Sequence, residues 1–362
     1  RRFRDALARI VPNARTGGQV GLHALPAGQA CYAARIRHYL GLDKSATELH
    51  QLGLRELDRI NNEMRTLGQR LFGTDDLTEI LTRLRTDKSL YFATAEEMLT
   101  AARASLDAAN AAMPSAFGIV PQTECVVVPI PAYEAPFSTI AYYRQPHYDG
   151  SKPGEYVVNT YKPETRPRYE FQALSFHEAV PGHHLQIAIS IERADLPAIR
   201  RFSYNTAYGE GWALYSERLA DELGLYNGDL DRMGMLSYDA WRASRLVVDT
   251  GLHAMGWTRK QAEQLMRERT ALALNNIVNE VDRYIAWPGQ ALAYKVGQLE
   301  IFRLRQWARD QLGSAFTLAG FHDAVLAQGS VNLPILAEQV AAWVQDNKPA
   351  QGVSAPTGSR AK

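Results

Sequence analysis

Cysteine is almost absent: the 362-residue sequence has two, Cys31 and Cys125, far apart and outside any C-x-x-C spacing. That excludes a disulfide framework and a thiolate-held zinc site, and leaves room for one bridge at most. A long apolar run is missing too. No stretch approaches the ~18 uninterrupted apolar residues that read as a membrane-crossing helix, and the opening Arg1-Arg2-Phe3-Arg4 leads into polar helix rather than the apolar segment of a signal peptide. Neither sign of charge is in excess. Forty basic residues against 39 acidic ones leave a net charge of +1, so the electrostatic footprint that holds a phosphate backbone or an anionic lipid surface is lacking, and nucleic acid is not an expected partner. The first residue is not methionine and lies within what reads as a helix. This predicts a removed upstream segment and leaves the compartment, cytoplasmic or exported, unread.

What is present is the composition of an ordinary globular chain, 46% hydrophobic and 22% charged, enough for one large domain or two modest ones. Helical periodicity dominates. Two helix starts carry a hydroxyl followed three residues later by a carboxylate, Ser45 with Glu48 and Thr94 with Glu97, the pattern in which each side chain satisfies a free amide of the first turn. From Ala46 to about Leu71, residues such as Leu49, Leu57, Ile60, Met64 and Leu67 recur every three or four positions, as one buried helical face requires. Between about Thr123 and Tyr161 the pattern changes to β-branched and aromatic runs, Cys125 to Ile130, Ser138 to Tyr143 and Glu155 to Tyr161, separated by proline- and glycine-containing turns. Helices resume near Glu170 and are expected over Tyr204 to Leu223, Leu230 to Met255, Arg259 to Leu274 and Ala291 to Leu312. The expected fold is mainly α with a small antiparallel β-sheet, an α+β class. A helical layer over 1–120, the sheet over 121–165 and a second helical part over 166–346 form a single catalytic domain. A mobile tail rich in Pro, Gly, Ser and Ala follows over 347–362.

The chemistry concentrates in His177-Glu178-Ala179-Val180-Pro181-Gly182-His183-His184, which holds three of the nine histidines. Zinc in a hydrolytic site needs neutral imidazoles, a carboxylate and one coordination position left open for water. In the H-E-x-x-H arrangement two histidines one helical turn apart reach one metal while the glutamate faces the bound water. Here four residues separate Glu178 from His183. On a straight helix His183 would sit about 9 Å along the axis on another face, and His184 about 10.5 Å away on the same face. Pro181 removes an amide and Gly182 permits unusual dihedrals, which predicts a bulge or a restart that returns His183 to the metal. The expected ligands are His177 and His183, with His184 the alternative second ligand; the imidazole left over serves substrate or supports a ligand. The plain alternative is a helix N-terminal turn with structural histidines.

A third ligand should come from a later helix packed across the first. The segment Ala207 to Glu217 supplies Glu210 and Glu217, seven apart and so on one face, among apolar neighbours that would bury them. Two buried carboxylates without a cation are costly. Gly209 and Gly211 would let the helix bearing Glu210 approach the metal helix closely. Glu210 is the expected ligand, with Glu217, about 10.5 Å further along a regular helix, as its supporting partner or as the ligand in its place.

With these residues in view, the sequence resembles a family of bacterial proteins catalogued as domain of unknown function 885, related to zinc peptidases with a thermolysin-like catalytic core. The matching blocks are Gly21 to Gln29, His50 to Leu54, Phe176 to Gln186, Tyr208 to Glu217 and Asp282 to Gly297. The resemblance implies a helical zinc-peptidase-like architecture with a deep cleft and one zinc ion per chain. More distantly, Gly182-His183 is similar to the Gly-His ending of H-E-x-G-H in helical zinc carboxypeptidases and oligopeptidases, including angiotensin-converting enzyme. In those families a glutamate ligand follows the second histidine after an interval comparable to the 27 positions from His183 to Glu210, which favours Glu210 over Glu217. The departure is the two extra residues between the histidines.

With zinc on His177, His183 and Glu210, Glu178 is the expected general base, taking a proton from bound water and delivering it to the leaving amine. Tyr284 and Tyr294 flank Pro288-Gly289, where a new helix starts, and are candidate donors to the oxyanion. Arg283 and Lys295 are candidate receptors for a substrate carboxylate. The sheet offers an edge for an extended peptide; nothing makes the neighbouring His147 and Tyr148 ligands. The expected function is a zinc metallopeptidase acting on short peptides or small amides, carboxypeptidase-like. Its rivals are a zinc hydrolase of non-peptide amides or esters and a catalytically silent binding protein on the same fold. A silent scaffold would have no need of Glu178.

Overall fold

The computed structural model describes residues 1–13 and 19–348. The expected tail falls outside these residues from position 349 onward. The chain opens with α1 (Arg2–Ile10), α2 (Gly28–Leu40), α3 (Ala46–Phe72), α4 (Leu77–Thr86) and α5 (Ala95–Ala116). Three strands follow, β1 (Cys125–Pro129), β2 (Ala141–Arg144) and β3 (Gly154–Val158). Helices then continue as α6 (Phe171–Glu178), α7 (His183–Glu192), α8 (Ala198–Phe202), α9 (Thr206–Glu222) and α10 (Asp229–Ala254). The last are α11 (Arg259–Arg269), α12 (Leu274–Ala286), α13 (Ala293–Leu312), α14 (Leu318–Leu326) and α15 (Leu333–Asn347). The fold is mainly helical with one small sheet, an α+β class.

Local signals account for several helix starts. Ser45 and Glu48 cap α3 reciprocally. At α5 only half the pattern forms: Thr94 accepts the Glu97 amide, while the Glu97 carboxylate turns to the Ala93 amide and to Arg168. The helix expected over Arg259 to Leu274 stops at Arg269, and α12 is a separate helix. The reason lies in α4. Arg85 donates to the carbonyl oxygens of Arg267, Thr270 and Leu272, which satisfies backbone acceptors that an extended segment would otherwise leave unpaired.

The sheet is mixed rather than wholly antiparallel. Its order is β1-β3-β2; β2 and β3 run antiparallel as expected, whereas β1 and β3 run parallel with Cys125 opposite Gly154. Strand β3, buried along its whole length, takes the centre. Its short connection to β2 claims one edge, and β1 is left with the other.

One continuous core takes side chains from Tyr32 through to Val344. Helix α10 crosses it, packed along α3, and α9 lies along α13. The second contact is close: a Cβ placed on Gly297 would stand 2.0 Å from the Ala207 carbonyl oxygen and 2.7 Å from the Gly211 Cα. This fixes α9, which bears Glu210. Cys31 and Cys125 are both free. No helix among the described residues is long and apolar enough to cross a membrane.

Candidate metal centre

Helix α6 ends at Glu178 and α7 begins at His183, so the helix restarts where Pro181 and Gly182 predict it. Ala179 leaves helical dihedrals (φ −103°, ψ −110°), and Gly182 folds the chain back on the last turn of α6. A Cβ at Gly182 would lie 2.0 Å from the His177 carbonyl oxygen and 2.4 Å from that of Phe176, so only glycine fits without displacement. Trp212 Nε1 and Ser216 Oγ donate to the Pro181 carbonyl oxygen at 2.8 and 3.2 Å. Helix α9 therefore pins the break that sits opposite its own Glu210.

The result is convergence. One ligand atom each from His177, His183 and Glu210 lie within 4.8 Å of one another. Glu210 Oε2 stands 3.7 Å from His177 Nε2 and 3.4 Å from His183 Nε2. A tetrahedral zinc with bonds of about 2.0–2.1 Å spaces its ligand atoms about 3.4 Å apart, which the two spacings from Glu210 approach. Nδ1 of His177 donates to Glu217 Oε1 at 2.8 Å, which orients the ring and leaves Nε2 facing Glu210. Nδ1 of His183 is buried without a hydrogen-bond partner. Burial acts to lower the His177 pKa, but hydrogen bonds to Glu210 and Glu217 outweigh it and raise it to about 9. Burial acts to raise the Glu210 pKa, and its bonds to the two imidazoles overcome this and hold it well below the usual carboxylate range. The cluster attracts positive charge, a proton in the absence of anything else.

A cavity of about 330 Å³ opens on these residues, and Glu178 lines it together with His177, His183 and Glu210. Arg283 and Tyr294 reach it as well, with Arg283 Nη2 donating to the Tyr294 hydroxyl at 3.2 Å. Three other expected site residues do not line it. Lys295 is fully buried and donates to Asp239 at 2.6 Å and Gln298 at 2.8 Å, so its charge is neutralised inside the core and cannot receive substrate. The Tyr284 hydroxyl is taken up by Glu280, Arg245 and Trp241 at 2.5, 3.0 and 3.2 Å. His184 is engaged through both nitrogens. Its Nε2 must donate to the Thr123 carbonyl oxygen at 3.0 Å, which leaves Nδ1 to accept from Tyr143 at 2.9 Å. Burial lowers its pKa to about 4, so it stays neutral and ties α7 to the sheet. The glycines beside Glu210 also act elsewhere: Gly211 meets α13, and Gly209 abuts the Tyr204 ring.

The cavity wall includes residues that sequence reasoning missed: Tyr204, Trp241, Arg242 and Arg245. A signal existed for the last two. Helix α10 is buried over most of its length yet carries Asp239, Arg242, Arg245 and Asp249 at helical spacings, a charged ridge inside a core helix. Tyr204 remains half exposed, yet the surrounding protein and the Glu210 carboxylate push its hydroxyl well above the usual phenol value, so it remains a donor.

Solved structures of other bacterial proteins resemble this one. A candidate lipoprotein from Colwellia psychrerythraea superposes with a TM-score of 0.90 at 38% identity, over 94% of this chain and 59% of that one. A candidate lipoprotein of unknown function from Shewanella oneidensis gives 0.78 at 20% identity, over 93% of this chain and 63% of that one. The chain thus spans about 59% and 63% of the length of these relatives. No curated protein matches it. The family model described as bacterial protein of unknown function (DUF885) matches residues 1–340, and the chain belongs to that family.

Proposed function

We propose that the chain is a zinc-dependent hydrolase whose substrates are short peptides. The observation that carries this reading is the approach of His177, His183 and Glu210 to within 4.8 Å on a cavity that Glu178 also lines. Two imidazoles and a carboxylate form the donor set that zinc takes in hydrolytic sites. A zinc ion held by these three residues would supply Lewis acidity toward water and a substrate carbonyl. Glu178 takes the proton of the attacking water and passes it to the leaving amine. The hydroxyls of Tyr204 and Tyr294 supply donors to the oxygen that becomes negative.

A peptide is favoured over an ester or a non-peptide amide by strand β2. It is an edge strand, and residues from Thr139 to Tyr143 line the cavity, so its free backbone groups are at hand for an extended chain. The test is a screen of zinc-loaded protein against a library of short peptides, acyl amino acids and esters, with product masses as the readout. Zinc-dependent shortening of peptides is the expected outcome. Cleavage of esters alone would move the assignment to the rival substrate class, and no product at verified zinc occupancy would reject the reading.

A further inference from the structure

The cavity wall carries two carboxylates, Glu178 and Glu210, and a group of arginines. Arg242, Arg245 and Arg283 all line it. Arg242 has Glu217 at 3.5 Å. Arg245 and Arg283 share a single carboxylate, Glu280, at 3.0 and 3.5 Å. One carboxylate between two guanidinium groups leaves the Arg245–Arg283 pair locally one negative charge short.

Arg245 also carries an unused donor. Its side chain is 2% exposed, Nε donates to the Tyr284 hydroxyl at 3.0 Å and Nη2 to Glu280, but Nη1 is buried without a partner. A charged N–H left unpaired in a protein interior is unfavourable and calls for an acceptor. The group is held rigidly, with Trp241 and Tyr294 rings 4.5 and 4.3 Å from the guanidinium carbon, and both rings line the cavity. Water could fill the hydrogen bond but not balance the charge. A monoanion does both, and a carboxylate matches a surplus of one where a phosphate dianion exceeds it.

We infer that the cavity is built for substrates ending in a free α-carboxylate, with Arg245 and Arg283 as its receptor. This rests on the reading of the cavity as a peptidase site and narrows it to removal of C-terminal residues. The volume, about 330 Å³, accommodates a terminal residue and the bond before it.

The test separates the two readings by using metal-free as well as zinc-loaded protein. A panel of N-acetyl amino acids, each as free acid and as amide, is titrated calorimetrically into the metal-free chain. At least one side chain should give an acid bound tenfold or more tighter than its amide. Arg245→Gln should reduce binding of the acid at least tenfold and leave that of the amide unchanged, with Arg245→Lys intermediate. Should the Gln variant fail to fold, Arg283→Gln, at a less buried position, gives the same comparison. Acid and amide binding alike, no binding of any acid, a preference unchanged in the variants, or displacement of the acid by inorganic phosphate at lower concentration would each overturn the inference. In the second arm, acetyl dipeptides and their amides are offered to zinc-loaded protein. Faster cleavage of the acids is expected, and equal rates would overturn the inference while leaving the peptidase reading intact. No cleavage of either removes the peptidase reading, and the metal-free titration still decides the carboxylate receptor.

Discussion

Glu217 Oε1 accepts a hydrogen bond from Nδ1 of His177 at 2.8 Å. The carboxylate is buried one helix turn pair away from Glu210 on α9, and touches the imidazole from the side that does not face Glu210. The two glutamates therefore have separable jobs. Purified protein should contain about one zinc per chain by elemental analysis. Glu210→Ala should abolish tight binding, whereas Glu217→Ala should weaken it about 10- to 100-fold, the usual loss when a ligand's supporting partner is removed. Competition with a chelator measures both, and the reverse order would transfer the ligand role to Glu217.

Glu178 ends α6 next to His177 and lines the cavity without belonging to the ligand set. Glu178→Gln should keep its zinc and lose turnover by about a hundredfold or more. A metal-replete variant with unaltered turnover would take the general-base role away from it.

Lys295 sits in a buried ion cluster with Asp239 at 2.6 Å and Glu56 at 3.1 Å, and Asp239 is also paired with Arg218 at 2.7 Å. Breaking such a pair leaves a buried charge less well compensated. Lys295→Met should destabilise the fold by about 3 kcal/mol in denaturant titration, yet leave any preference for acid over amide ligands as it was. A selective loss of acid binding would return Lys295 to the substrate pocket.

Asp249 is buried and accepts from the Tyr32 hydroxyl at 2.6 Å and the Gly289 amide at 3.0 Å. Burial raises its pKa to about 7, against the opposing pull of these donors and of Arg35. The folded state thus keeps a proton that the unfolded chain, with a carboxyl near pKa 4, has already released. The stability this group contributes is full below about pH 4 and is lost as pH climbs toward 7. Asp249→Asn removes the titration, so between pH 5 and pH 8 unfolding free energies should move in the variant's favour relative to wild type. A difference that stays constant across that range would show that Asp249 does not titrate there.

What could be read from the sequence was what neighbouring residues decide. The Ser45–Glu48 cap, the apolar face of α3, the strand positions and the restart of the helix at Pro181-Gly182 all follow from residues a few positions apart. What could not be read depended on which distant elements meet. Lys295 looks like a free cation until α10 brings Asp239, 56 positions away, against it. Tyr284 looks available until Arg245 and Glu280 take its hydroxyl. The early end of α11 is set by Arg85, more than 180 positions upstream. The parallel pairing of β1 is likewise a competition among strands for the edges of β3, which no single strand's pattern encodes.

In a continuous helix two ligands one turn apart form a single jaw, and their spacing is the pitch of the helix. Here the fold-back at Gly182 divides that jaw into two. His177 rides on α6 and His183 on α7, and the His184 amide, which donates to the Ala179 carbonyl oxygen at 3.0 Å, ties the two halves together. The interval between the imidazoles is thus governed by how α7 seats on the Pro181 carbonyl, where Trp212 and Ser216 of α9 clasp it. Substitutions at Trp212 or Ser216 would therefore act on the interval between the two imidazoles from outside either helix.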